Sequence, residues 1–467
     1  MRLGLLARLV PVGGLALLAG ANCLGSDSPR QPDRSPPQLQ VFSPVDTSYD
    51  LDGDKLVDVS VQWTDSGSAV DYARAHLYSI EGVNGPAASG TDLLTVWRLE
   101  RLDATGLLVH ETRANLLHPG LNHLIISVPD LLGNTLTDTL AFTLPYGAFA
   151  KTIPSGLTMG AQPADGITIC ADDNRLYMAA GVNLVVADPD SLKVTTVVPD
   201  PGAPDALATP LCVSDDPVLY VTLLVERFNR TTHQWLAEVD SSYQSLGIAQ
   251  SRLNPDLLYV GETTDGVIGV VSRSQHKRVG QLLSFAPVTE YIHSIVVLDG
   301  DSKLYATEAT QGGVLVVDPV KDSVLKRIPV GGSAYASQGD SGDTQSLTRT
   351  ADGRHIYAAV DLGLPTGIVD IDTQADSVVR TLSLYNYYCI NLALSPDQSR
   401  AFVSTQDNGS PSENVLVDIS GWRVLQTFPR PRSAGATRFD RGVVFSTDGK
   451  LVFVSHDVDI DVYLTRE

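Results

Sequence analysis

The chain has 467 residues, more than one hydrophobic core accommodates, so at least two folded units are expected. Its 33 Lys and Arg face 54 Asp and Glu, for a formal net charge of -21. That balance excludes a phosphate backbone as the natural partner, which needs clustered basic side chains, and reads mostly as a solvated acidic surface.

Residues 1–22 read as an export signal. Arg2 and Arg8 flank an apolar run over 9–21 that is too short for the ~20 residues of a membrane span. Two endings are open. Ala19-Gly20-Ala21 fits small-x-small cleavage, which releases a secreted or periplasmic chain beginning at Asn22. Alternatively, Cys23 resembles the acylated cysteine of a bacterial lipoprotein box, although Asn22 and Gly20 depart from that pattern. This resemblance implies a lipid on Cys23 and a place at the outer membrane or cell surface. Residues 23–38, rich in Pro and Ser, suit an extended tether behind such an anchor.

Residues 39–145 carry short alternating stretches, Val57-Asp58-Val59-Ser60-Val61-Gln62-Trp63 and Leu124-Ile125-Ile126-Ser127-Val128 among them. Such alternation marks strands with one buried face, and about a hundred residues of them suit a β-sandwich. Trp63-Thr64-Asp65-Ser66-Gly67 near the start and Asp130-Leu131-Leu132-Gly133-Asn134 near the end resemble bacterial immunoglobulin-like domains. The resemblance implies a spacer or adhesion module.

From 146 to 467 one phrase recurs: a polar turn, then an apolar strand opening near an aromatic residue, clearest at Ser395-Pro396-Asp397-Gln398-Ser399-Arg400-Ala401-Phe402-Val403. The aromatic residues are Tyr177, Tyr220, Tyr259, Tyr305, Tyr357, Phe402 and Phe453, so six intervals average about 46 residues, the period of a four-stranded propeller blade. A second strand ending in Asp follows in most units, as in Val185-Val186-Ala187-Asp188 and Val369-Asp370-Ile371-Asp372. Those aspartates are expected to open turns. The array resembles the YVTN family of seven-bladed propellers, whose wider superfamily includes lactonase-like and quinoprotein-like enzymes. The seventh unit ends without an outer strand, and Lys151-Thr152-Ile153-Pro154-Ser155-Gly156 matches the outer-strand segment Lys326-Arg327-Ile328-Pro329-Val330-Gly331. The expectation is therefore an all-β chain, an immunoglobulin-like sandwich followed by a seven-bladed β-propeller closed by an N-terminal strand.

Candidate chemistry is sparse. Asp50, Asp52, Asp54 and Asp58 reproduce much of the oxygen spacing of a Ca²⁺ loop, without its position-6 glycine or its closing Glu. His293, Tyr387, Tyr388, Arg438, Asp440 and Arg441 precede or open inner strands, which places them at the channel mouth of a propeller. Cys170, Cys212 and Cys389 are expected as buried free thiols, with a Cys170–Cys212 bridge as the alternative. No phosphate loop, zinc motif or nucleophile elbow occurs. The functional expectation is an exported binding protein for a protein or other extracellular ligand, held to the membrane only by its lipid. The alternative is a propeller enzyme acting on a small molecule.

Overall fold

The structure is a computed structural model that describes residues 33–465 except 46–48, 52–55, 80–91, 112–116, 118–119, 158–163, 202–206, 214, 223, 240–244, 263–265, 285–291, 309–312, 331–345, 361–366, 385–387, 407–412, 430–439 and 457. The fold is all-β. Among the described residues no helix is long and apolar enough to cross a membrane.

The first part contains β1 (Gln38–Ser43), β2 (Asp58–Thr64), β3 (His76–Ser79), β4 (Arg98–Asp103), β5 (Gly106–His110), β6 (Gly120–Pro129) and β7 (Thr135–Leu144). They form two antiparallel sheets, ordered β1-β2-β5-β4 and β3-β6-β7. Both sheets contribute to one core, with Val59, Val61 and Trp63 of β2 packed among Ile126 and Val128 of β6 and Phe142 of β7. Alternation places these residues inward and their neighbours outward, as a strand's two-residue period requires. Trp63 still finds a partner for its indole N–H, the carbonyl of Asp103 at 3.0 Å.

After Leu144 the chain enters β8 (Gly147–Ile153) and then seven four-stranded antiparallel sheets, called I to VII. Sheets I to VI occupy 164–199, 210–235, 245–284, 295–329, 347–383 and 388–429. Sheet VII takes its strands Asp440–Phe445, Leu451–His456 and Asp459–Thr465 from the end of the chain and its fourth from β8. Ile153 pairs with Ile460, Lys151 with Val462 and Gly147 with Thr465. The partner strand thus begins and ends earlier than the 151–156 match implies. Beyond it, the Ser155 amide donates to Asp459 Oδ1 at 2.8 Å.

Each sheet packs on the next. Tyr177 of sheet I meets Leu219 and Phe228 of sheet II, and Tyr220 meets Leu258 and Val271 of sheet III. Tyr259 faces Leu304 of sheet IV, Tyr305 faces Ile356 of sheet V, and Tyr357 faces Val403 of sheet VI. Phe402 packs with Val452 and Tyr463 of sheet VII. Finally, Phe453 and Val462 of sheet VII pack with Leu176 and Val185 of sheet I, and Leu56 of the first part joins that cluster. Every aromatic of the recurring phrase therefore faces the following sheet, and its chain neighbours face the preceding one. Burial on both faces explains why these strands read as continuous apolar runs.

The polar half of the phrase is a turn clamp. Ser395 Oγ donates to Asp397 Oδ1 at 2.5 Å, and the same oxygen accepts the Ser399 amide at 3.0 Å. Thr350 with Asp352 and Ser446 with Asp448 repeat it at 2.6 Å each. The next position is left-handed, filled by Gly353 (φ 66°) and Gly449 (φ 75°) and also by Gln398 (φ 63°). The strand-ending aspartates open turns as expected. Asp188 Oδ1 accepts the amides of Asp190 and Ser191, and Asp372 Oδ1 those of Gln374 and Ala375, at 2.8–3.1 Å.

One cysteine expectation is corrected. Cys170 and Cys212 are joined by a disulfide, with Cα atoms 5.5 Å apart, and among the described residues Cys389 is left as a buried thiol outside that bridge. They end the first strands of sheets I and II, which the sheet packing brings side by side. A cross-link between residues 42 apart in sequence restricts the unfolded chain by about 4 kcal/mol on the chain-entropy account.

Candidate functional site

The two ends of the repeat sheets differ chemically. At the end carrying the clamp turns, acids and bases are paired. Arg230, with a side chain only 2% exposed, donates to both oxygens of Asp172 at 2.7 and 2.8 Å and to Asp173 at 2.8 Å, tying sheet II to sheet I. Arg273 ties sheet III to sheet II through Asp215 and Asp216. Tyr177 donates its hydroxyl to Asp173 at 2.8 Å and Tyr259 to Asp301 at 2.9 Å, while Tyr305 bonds Asp376 of sheet V. Burial, and then these carboxylates, push the three hydroxyls above their ordinary range, so they remain donors.

The opposite end, where the first strand of each sheet begins, holds the sequence candidates. His293 lies two residues before the strand Ile295–Val297 of sheet IV. It is half-buried, and its amide donates to Thr307 Oγ1 at 3.0 Å. Tyr388 opens the first strand of sheet VI, and Asp440 and Arg441 open that of sheet VII. Tyr387 and Arg438 lie outside the described residues. The topology thus puts His293, Tyr388, Asp440 and Arg441 at corresponding positions of three sheets.

This end also holds residues that sequence reading missed. Asp440 pairs in register with His456, which pairs on its other side with Asp459. His456 is 4% exposed and Asp461 fully buried, with Nδ1 and Oδ2 3.7 Å apart. Asp461 Oδ1 accepts the Thr152 hydroxyl of β8 at 2.5 Å. The neighbouring Ser455 Oγ accepts the Gly442 amide at 2.8 Å, a backbone clamp rather than a nucleophile aligned on His456. The available signal was a polar Ser-His pair ending an otherwise apolar strand. Glu226, which opens the third strand of sheet II, and Glu262, which closes the second strand of sheet III, stand at this same end and are buried. Burial, then the Asp200 carboxyl and the charge of Glu238, push Glu226 up to about 9, so it carries a proton at neutral pH. Glu262 is neutralised by Arg278 at 2.7 Å. The described side chains here supply a cluster of carboxyl groups, one protonated and one paired with Arg278, plus one His–Asp pair.

In the first part, the acidic loop is only partly described. Asp52 and Asp54, like Cys23, lie outside the described residues. Asp58 is buried and its carboxylate is already engaged, Oδ1 with His110 Nδ1 at 2.6 Å and Oδ2 with the Leu51 amide at 2.5 Å. The other His110 nitrogen meets Glu100 at 2.9 Å. Burial opposes the charged imidazole, but Glu100 and Asp58 outweigh it and raise its pKa.

No family model matches this chain, and no curated protein matches it.

Proposed function

We propose that the chain is an exported, lipid-anchored cell-envelope protein. In this reading an immunoglobulin-like spacer carries a seven-bladed propeller of YVTN type. The strand-entry end of that propeller binds a protein or other extracellular ligand with basic character. What carries the reading is the charge division: Arg230 and Arg273 at the clamp-turn end are consumed by inter-sheet pairs, whereas the entry end crowds Asp200, Glu226 and Glu238 so that Glu226 keeps a proton, which a basic ligand group would displace. Supporting the propeller is the packing order, in which seven alike sheets each cover the next and the seventh covers the first. The enzyme reading draws its support from one observation, the buried His456–Asp461 pair.

A photo-crosslinking residue tests the assignment when placed at His293 in one variant and at Val320 in another. Val320, on the opposite end, is 75% exposed. Adducts in intact cells from position 293 and none from 320 are the expected result. Adducts only from 320 refute it, and turnover of a small ester or lactone that disappears in His456→Gln favours the enzyme.

A further inference from the structure

Three carboxylates of the first part converge from distant points of the chain. Asp33 precedes β1, Asp65 follows β2, and Asp130 joins β6 to the β6–β7 hairpin. One oxygen from each lies within 4.8 Å of the other two. Ca²⁺ binds oxygens at about 2.3–2.6 Å, so ligands on opposite sides of one ion stand up to roughly 5 Å apart.

Two of the carboxylates are held in place by their own loops. Asp130 is fully buried, its Oδ1 accepting the Leu132 and Asn134 amides at 2.9 and 2.8 Å and its Oδ2 accepting Asn134 Nδ2 at 2.7 Å. Asp65 Oδ1 accepts the amides of Gly67 and Ser68 at 2.7 and 3.0 Å. Asp33 differs. Its Oδ1 accepts the Ser35 amide at 3.0 Å and its carbonyl accepts Asn134 Nδ2 at 3.3 Å, but its Oδ2 is sealed from solvent with no hydrogen-bond partner. That oxygen sits 2.0 Å from where a Cβ on residue 67 would stand, so a side chain at that position would displace the carboxylate. Among the described residues no Lys, Arg or His pairs with any of the three acids. Asp58, by contrast, has His110.

We propose that Asp33, Asp65 and Asp130 bind one Ca²⁺ and thereby pin the end of the tether to the first part. A sealed carboxylate oxygen without a hydrogen-bond partner, on an acid clustered with two more, is what such an ion resolves, because it supplies the missing charge and accepts variable oxygen geometry.

The test uses the exported full chain, titrated with Ca²⁺ by calorimetry and by thermal melting. One ion should bind with a dissociation constant on the order of 0.1–1 mM, as in other extracellular modules, and should raise the melting temperature of the first part. Asp33→Asn and Asp65→Asn should each weaken binding about tenfold or more while leaving the calcium-free melt in place, since neither holds the hairpin as Asp130 does. Asp52→Asn with Asp54→Asn should change nothing. Absence of binding up to 10 mM, on the order of ten times the weakest expected constant, overturns the proposal. So does loss of binding in the Asp52/Asp54 variant alone, which places the ion in the other loop.

Discussion

The two parts of the molecule solve burial differently. The first gathers one core from both of its sheets, and its strands alternate: β7 exposes Thr135 and Thr137 while burying Leu140, Phe142 and Leu144. The repeat has no single centre. It has seven interfaces, each between two sheets, and strands such as Arg175–Ala180 are buried along nearly their whole length. Damage should therefore propagate through the whole first part but remain graded in the repeat, except where one strand serves two ends of the chain.

That exception is the largest expected effect. Chains beginning at Tyr146 and at Leu157 differ only by β8 and the segment after it. The shorter chain loses the ladder to Asp459–Thr465 and the burial of Ile153 and Phe149. At roughly 1 kcal/mol per backbone bond and 2 kcal/mol per apolar side chain, the loss is about 8 kcal/mol, comparable to the stability of a whole domain. Calorimetry should show a cooperative melt for the longer chain and aggregation for the shorter, whose last strand has an open edge. Equal melting would mean that β8 is dispensable to sheet VII.

A core truncation probes the other side of the comparison. Trp63→Ala should cost about 3–5 kcal/mol, enough to unfold the first part. The repeat transition should stay where it is, because among the described residues Leu56 is the one member of the first part packed against the core of sheets I and VII. If both transitions fall together, the two parts are one cooperative unit.

The smallest effect separates the parts by pH. His110 has a raised folded-state pKa, so its contribution is fully present below about pH 6.5 and is lost as pH rises through the folded value. The clamp carboxylates of the repeat are lowered instead. Asp172 is lowered first by its bond to Arg230, and Asp352 first by Thr350; their contribution is present above about pH 4 and is lost as pH falls through the folded values. The melt of the first part should weaken as pH rises above about 6.5 and that of the repeat as pH falls below about 4. His110→Gln should flatten only the alkaline slope, and an unchanged slope would remove His110 as its cause.

What the sequence by itself determined lies within a few residues of itself. The clamp turns, the left-handed position after Asp352 or Asp448, the Asp-opened turns and the all-β class follow from local steric and hydrogen-bonding rules, and each recurs often enough to be recognised. The need of the last unit for an outer strand was also legible, because an unmatched strand remained before the first unit, though its bounds shifted to Gly147–Ile153 once side-chain packing set the register. Tertiary structure alone decided the rest. The Cys170–Cys212 bridge depends on two sheets standing side by side, the His456–Asp461 pair on a strand reversal, and Asp58's ties to His110 and Leu51 on which neighbours reach it first. Asp33, Asp65 and Asp130 lie far apart along the chain, and no local pattern marks them as neighbours. Electrostatic partnership is settled by distance in space, which short-range rules of turn and strand do not contain.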